Sequence, residues 1–468
     1  MRVGIKLGYG IGQAADGAKQ AAFNTFLLFY YNQVLGLPAT LAGLAALIAL
    51  AVDAITDPMM GQISDRFRSK WGRRHPFMFA GALPFAIAMY ALFTPVSGLS
   101  TYALFAWMVF WAVTLRLMLT VFFVPHLALG AELSDDYHER TSLIGYRVFF
   151  TYTAILSLSI IVLMTFLKNT EAYPNGMLNP DGYPMLGLLC GVVGGLAMLL
   201  SAFTTRSTIP LLKQPAATSD KRNPLFAVID VFKALKLDSF RVIFSANLLF
   251  NIMAGVIQAL LIYVATYVYG FDSKYFAFLT LALVISVICA PWIAQLVSKR
   301  IGKKNTLAVS IFLGASIAFA PLIVYLLFGL DFMNLDQKLI FVFVCNGFGN
   351  AFFIAYVIMI DSMITDTIDE NELLTGRREE GLFFAARAFC TKASYGLGAF
   401  FAGLSLDIIK FPKQADPRDV DPGTITDLAI LAGPVCLLMF LATILISNRY
   451  GLTQQRHQEI VTQIAARA

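Results

Sequence analysis

The chain has 468 residues, of which 58% are hydrophobic and only 14% charged, and its formal net charge is +6. So apolar a composition cannot cover a soluble globule with polar groups, which excludes that class and places the chain in a membrane. The small positive balance lies in loop lysines and arginines of the kind that orient a membrane protein. The bilayer is therefore the expected lipid partner, and no nucleic-acid partner is expected.

Apolar runs of about 20 residues recur along the chain, each long enough to cross a hydrocarbon core about 30 Å thick as a helix and unlike the strands of a closed barrel. The fold class is an all-α membrane protein. Its first residues, MRVGIKLGYG, lack the order of a cleaved signal, and Arg2 and Lys6 suggest a cytoplasmic N-terminus. Twelve transmembrane helices are predicted, near residues 12–36, 40–62, 76–96, 102–131, 142–167, 185–209, 239–270, 273–297, 305–328, 336–363, 380–408 and 425–448. Basic residues fill the loops after span two (Arg66, Arg68, Lys70, Arg73, Arg74), span six (Lys213, Lys221, Arg222, Lys233, Lys236), span eight (Lys299, Arg300, Lys303, Lys304) and span ten (Arg377, Arg378). The alternate loops are short, or rich in Asp, Gly, Pro and Asn, so both termini of this multi-pass protein are expected in the cytoplasm.

The longest polar interval separates the spans six and six. It defines an N-terminal half (1–209), a cytoplasmic linker (210–238), a C-terminal half (239–450) and a cytoplasmic tail (451–468). Two pseudo-symmetric six-helix halves around a central site are the plan of an alternating-access transporter. A weak internal echo supports it: SDRFRSKWGRRHP after span two has a shorter counterpart, SKRIGKKNT, after span eight. The five cysteines lie singly in apolar segments without metal-ligand spacing and read as packed free thiols.

Charged residues inside the spans carry the functional signal, because a carboxylate at bilayer depth is costly unless it is paired or faces water. Span two places Asp53 and Asp57 one helical turn apart on one face, which marks a cation or proton site. Span one aligns Asp16, Gln20 and Asn24, with Lys19 beside them. Span four repeats the spacing with Arg116 and Thr120, span five with Arg147 and Thr151. Later spans add Asn247, Asn251, Gln258, Asn346, Asn350, Arg387, Thr391 and Lys392. These faces are expected to converge on a water-filled cavity that binds a polar solute, with the amides alternatively serving as interhelical glue. His126 is expected to be packed between helices.

Asp65, Arg66, Arg73 and Arg74, with Glu132 and Arg140 after span four and Asp366, Asp369 and Arg377 after span ten, are expected to form a gate whose charges pair across the two halves in one state. No Walker loop, HExxH helix, nucleophile elbow or dinucleotide fingerprint occurs in the sequence, so neither enzymatic activity nor a cofactor is expected beyond a coupling ion, Na⁺ or H⁺. A non-transporting sensor would need a signalling domain, which is not evident in the tail.

Taken together, KLGYGIGQ, DAITDPMMGQISDRFRSKWGRRHPF, VPHLALGAEL, ERTSLIGYRVFF, VIMIDSMITDTIDENE and RREEGLFFAARAFCTKASYGLGAF resemble the glycoside-pentoside-hexuronide cation symporters of the major facilitator superfamily, typified by melibiose permease. The resemblance implies the major facilitator fold, a monomer in the bacterial inner membrane, and Na⁺- or H⁺-coupled uptake of a sugar or glycoside. Asp53 and Asp57 match the family's cation-site aspartates and would ligate Na⁺ if sodium drives the carrier. Thr120 matches a hydroxyl that assists the cation, and Arg147 and Lys392 match positive residues between cation and sugar. The family's sugar-gripping carboxylates and tryptophan fall on Gly17, Phe123 and Leu127, and Asp16, one residue away, would point about 100° elsewhere. Loss of those acids together with the gain of Arg116 suits an acidic solute such as a uronide or sugar sulfonate. A lysophospholipid or other amphiphile is the alternative cargo, because animal carriers of such lipids resemble the same family.

Overall fold

The computed structural model describes residues 2–134, 136–211 and 233–467, and every regular element among them is helical. The expected linker, with Lys213, Lys221 and Arg222, lies mostly outside the described residues. Nine helices among the described residues are long and apolar enough to cross a membrane. One of these, Ser273–Phe328, spans 56 residues, which is far more than a bilayer needs, and it turns at Gly302, where φ is 77°. It therefore supplies two crossings.

The first span (residues 3–34) is built of short α and π pieces, and Glu380–Ile408 carries Arg387 and Lys392 in its interior; adding these two gives twelve crossings among the described residues. We number the crossings α1 (3–34), α2 (Ala39–Arg66), α3 (His75–Leu92), α4 (Thr101–Glu132), α5 (Tyr137–Ile161), α6 (Gly182–Thr205), α7 (Asp238–Tyr263), α8 (273–301), α9 (303–328), α10 (Leu335–Thr375), α11 (Glu380–Ile408) and α12 (Pro422–Ser447). A further helix, α13 (Gln454–Arg467), packs on α10.

The helix that carries the paired acids, α2, packs on α4 of its own half and on α11 of the other. Small residues permit the second contact. A Cβ on Gly43 would lie 2.6 Å from the Ala399 carbonyl oxygen, and one on Gly403 would lie 2.1 Å from that of Ala39, so these helices touch backbone to backbone. Pro58, immediately after Asp57, lacks the amide that would close the next hydrogen bond and loosens α2 beside the acid.

On the face away from the basic loops, the halves are joined by polar bonds. Tyr263 donates to Asn32 at 2.9 Å, Tyr267 to Gln33 at 2.9 Å, Gln33 to the Pro412 carbonyl at 2.9 Å, and Asn169 to Asp272 at 2.6 Å. Asp407, at the end of α11, accepts the backbone amides of Ala39 (3.3 Å) and Thr40 (2.8 Å) at the start of α2, where Pro38 offers no side-chain cap. The adjoining turn is held by Arg418, whose hydrogen bonds to Asp416 pull that carboxyl down to about 2.

On the basic face the charges pair differently from expectation. Arg73 and Arg74 bind Glu132 at 2.7 and 2.9 Å, and Arg74 also binds Asp65 at 2.6 Å, all within the N-terminal half. Lys303 binds Asp366 at 2.7 Å and Arg378 binds Asp369 at 3.0 Å, both within the C-terminal half. Arg140 donates to the carbonyl of Ser134, and the Arg377 amide bonds Thr375. In this conformation each latch closes on its own half, because the halves meet on the opposite face. The weak echo does correspond to a structural repeat: Gly72 (φ 75°) and Gly302 (φ 77°) both turn left-handed, and the base that follows each reaches an acid at the end of α4 or α10.

Candidate coupling site and central cavity

Matching ladders on α2 and α4 build the centre. Asp53 and Asp57 sit one turn apart on α2, Arg116 and Thr120 one turn apart on α4, and the rungs meet in order. Arg116 donates from Nε (2.9 Å) and Nη2 (2.5 Å) to one oxygen of Asp53, with both side chains 7% exposed. Thr120 donates to Asp57 at 2.7 Å, and Lys392 of α11 forms an ion pair with the other Asp57 oxygen. That ion pair joins the two halves.

The third acid, Asp16, holds Lys19 at 3.3 Å and accepts from Gln20 at 2.7 Å. A π-helical segment over Gln20–Asn24 follows, a departure from regular helix that often marks functional sites. Position 17 faces elsewhere: a Cβ on Gly17 would lie 2.5 Å from the Thr151 carbonyl oxygen, so this glycine lets α1 touch α5 and no carboxylate could stand there. Asp16 is therefore the residue turned into the cavity.

A cavity of about 600 Å³ lies between the halves, within the size range of small-molecule sites. Asp16, Gln20, Asn24, Asp53, Asp57, Arg116, Thr120 and Lys392 all line it, and Gln258, Asn346, Asn350 and Thr391 add amides and a hydroxyl. Two expected solute contacts do not. Arg147 donates to Gln13 at 3.2 Å, and Asn251 donates to Asn247 (2.8 Å to the side chain); neither lines the cavity, because each is held by a neighbouring amide. His126 is buried, stacked on Tyr9 and bonded to the Tyr9 carbonyl at 2.8 Å, as expected of a packed histidine.

The cavity is lined by three carboxylates (Asp16, Asp53, Asp57) and three cations (Lys19, Arg116, Lys392), so Arg116 brings the charge of the lining to zero. Within that lining Asp53 takes up the charge of Arg116. Outside the cavity, Asp361 of α10 forms an ion pair with Arg387 of α11. Sequence reasoning passed over Asp361, although an acid within VIMIDSMI gave the same signal as Asp53.

A family described as MFS/sugar transport protein matches residues 8–454. The chain belongs to this family. It is 28% identical to "Inner membrane symporter YicJ" of Escherichia coli over 98% of this chain and 94% of that protein. It is 26% identical to the "Glucuronide carrier protein homolog" of the same organism, over 98% and 94%. It is 24% identical to the "Lactose permease" of Leuconostoc lactis, over 98% and 71%. Among solved structures, the nucleoside transporter NupG superposes with a TM-score of 0.61 at 13% identity, covering 96% of this chain and 99% of the other. A D-xylose-proton symporter superposes with a TM-score of 0.61 at 15% identity, over 93% and 97%. Both likenesses establish the fold, which is that of the major facilitator superfamily. Membership of the sugar transport family favours a sugar over an amphiphile as cargo.

Proposed function

We propose that the chain is a secondary transporter of a sugar or glycoside, driven by cation symport through alternating access, with Asp53, Asp57, Thr120, Arg116 and Lys392 as its coupling centre. The observation that carries the assignment is the Lys392–Asp57 ion pair, the one charge pair at the cavity that links the halves among the described residues. A cation arriving at Asp57 competes with Lys392 and so alters the contact between halves, while a solute in the cavity alters the same contact. The two ligands are thereby coupled, each changing the affinity for the other by the same factor.

Asp16, Gln20 and Asn24 on one side, and Gln258, Asn346, Asn350 and Thr391 on the other, give a hydroxylated solute the mixture of donors and acceptors it needs. In this reading the latches and both termini face the cytoplasm and the joined face lies outward, an orientation that the excess of Lys and Arg in the loops supports. The "Glucuronide carrier protein homolog" and "Lactose permease" relatives make a neutral and an acidic glycoside the first probes.

Uptake of labelled lactose and methyl glucuronide into right-side-out vesicles, under an imposed pH or sodium gradient, tests this. Asp57→Asn should abolish accumulation against a gradient while retaining downhill movement. Undiminished accumulation in that variant would refute the coupling assignment.

A further inference from the structure

We infer that Arg116 is a built-in cation at the coupling centre, whose guanidinium occupies the place on Asp53 that a metal ion would need and makes loading of the carrier independent of sodium. The inference rests on the symport reading and deepens it by choosing between the two ions.

Arg116 reaches one oxygen of Asp53 with two nitrogens, at 2.9 and 2.5 Å, and its guanidinium carbon lies 5.6 Å from the Phe23 ring centre. Both partners are buried, so water does little to screen the contact. A hard cation is held by several oxygens at once, carboxylates foremost. Here the oxygens are already assigned: one of Asp53 to Arg116, one of Asp57 to Thr120 and the other to Lys392. The remaining Asp53 oxygen, Oδ1, is buried without a hydrogen-bond partner. A metal ion at that oxygen would have a single carboxylate ligand and would stand beside a fixed guanidinium of like charge. Removing the guanidinium reverses both conditions, since Asp53 then presents two oxygens one turn from Asp57, an acid pair with a hydroxyl beside it.

Arg116 thus sets ion selectivity. The spacing that reads as a sodium site from α2 alone becomes, with α4 in place, a site whose metal position is filled by a side chain.

The test follows thermal unfolding of the purified full-length protein as sodium replaces choline at constant ionic strength. Wild type and Arg116→Lys should show no sodium-specific shift, whereas Arg116→Gln should gain a rise of about 3 °C between 1 and 100 mM sodium. If the Gln variant does not fold, Arg116→Met, which fills the same apolar-walled space, takes its place. A sodium-specific rise in wild type overturns the inference, and so does a folded charge-deleted variant that stays blind to sodium. The readout is ion binding and needs no transport, so failure here is separate from failure of gradient-driven uptake, which would overturn the symport reading instead.

Discussion

Replacing Asp407 with Ala removes the carboxylate that caps the first turn of α2 from the other half of the molecule. The closed outer face then loses two hydrogen bonds, at 3.3 and 2.8 Å, from amides that Pro38 cannot cap. Loss of an N-terminal cap together with its favourable interaction with the helix dipole costs about 1–2 kcal/mol, and partial exposure of Asp407 puts the value in the lower part of that range. At about 1.4 kcal/mol per factor of ten, the ratio of outward-open to outward-closed molecules rises about 5–12-fold. The assay is labelling by a membrane-impermeant maleimide of Thr280→Cys, a cavity-lining position near the outer end of α8, in protein whose five native cysteines are replaced. Labelling proceeds through the open form, so its rate should rise by the same factor, and Asp407→Asn, which keeps an acceptor without the charge, should fall between. An unchanged rate in folded Asp407→Ala would refute the view that this cap holds the outer face shut.

Asp53→Asn should lower the thermal midpoint sharply, by about 3–5 kcal/mol of stability, because it strands the buried Arg116 guanidinium; pairing it with Arg116→Met should recover most of that loss. A single variant as stable as wild type would mean that the guanidinium has another partner. Asn251→Ala should change KM for sugar uptake by less than about twofold, since Asn251 bonds Asn247 and does not line the cavity. A large rise in KM would return it to the solute site. Because the Asp416 carboxyl is depressed to about 2 from an ordinary value near 4, its contribution is complete above about pH 4 and is lost only as pH falls through the lower value. Asp416→Asn should therefore leave the uptake profile between about pH 5 and 8 in place, and a displaced profile would put a titrating group in that turn. Lysophosphatidylcholine below its micellar concentration should not compete with labelled lactose, and competition would revive the amphiphile cargo.

Intramembrane charge made much of this arrangement legible in the sequence. Asp53, Asp57 and Lys392 are identifiable because buried ionisable groups need partners, Thr120 by its place one turn from Arg116 and by the family resemblance, and the structure assembles them with Asp16, Gln20 and Asn24 around one cavity. The partner of Asp53 was also within reach: Arg116 and Thr120 repeat the spacing of Asp53 and Asp57, and both rungs join residues 63 apart. A helical wheel shows which residues share a face but not which neighbouring helix that face meets. Arg147 and Asn251 read as cavity residues for that reason, and for the same reason the gate charges were expected to pair across the halves. Asp407 was illegible on other grounds, since it caps an amide 367 residues away and nothing local signals so remote a partner.

The three acids and three bases that line the cavity have a consequence for energetics. With each negative group matched by a positive one, the vacant carrier moves almost no net charge through the membrane field when it reorients, whereas a carrier loaded with one cation and a neutral sugar moves a full elementary charge. Voltage would then drive the inward trip and leave the return stroke untouched, which makes this carrier rectify in cells that maintain an inside-negative potential.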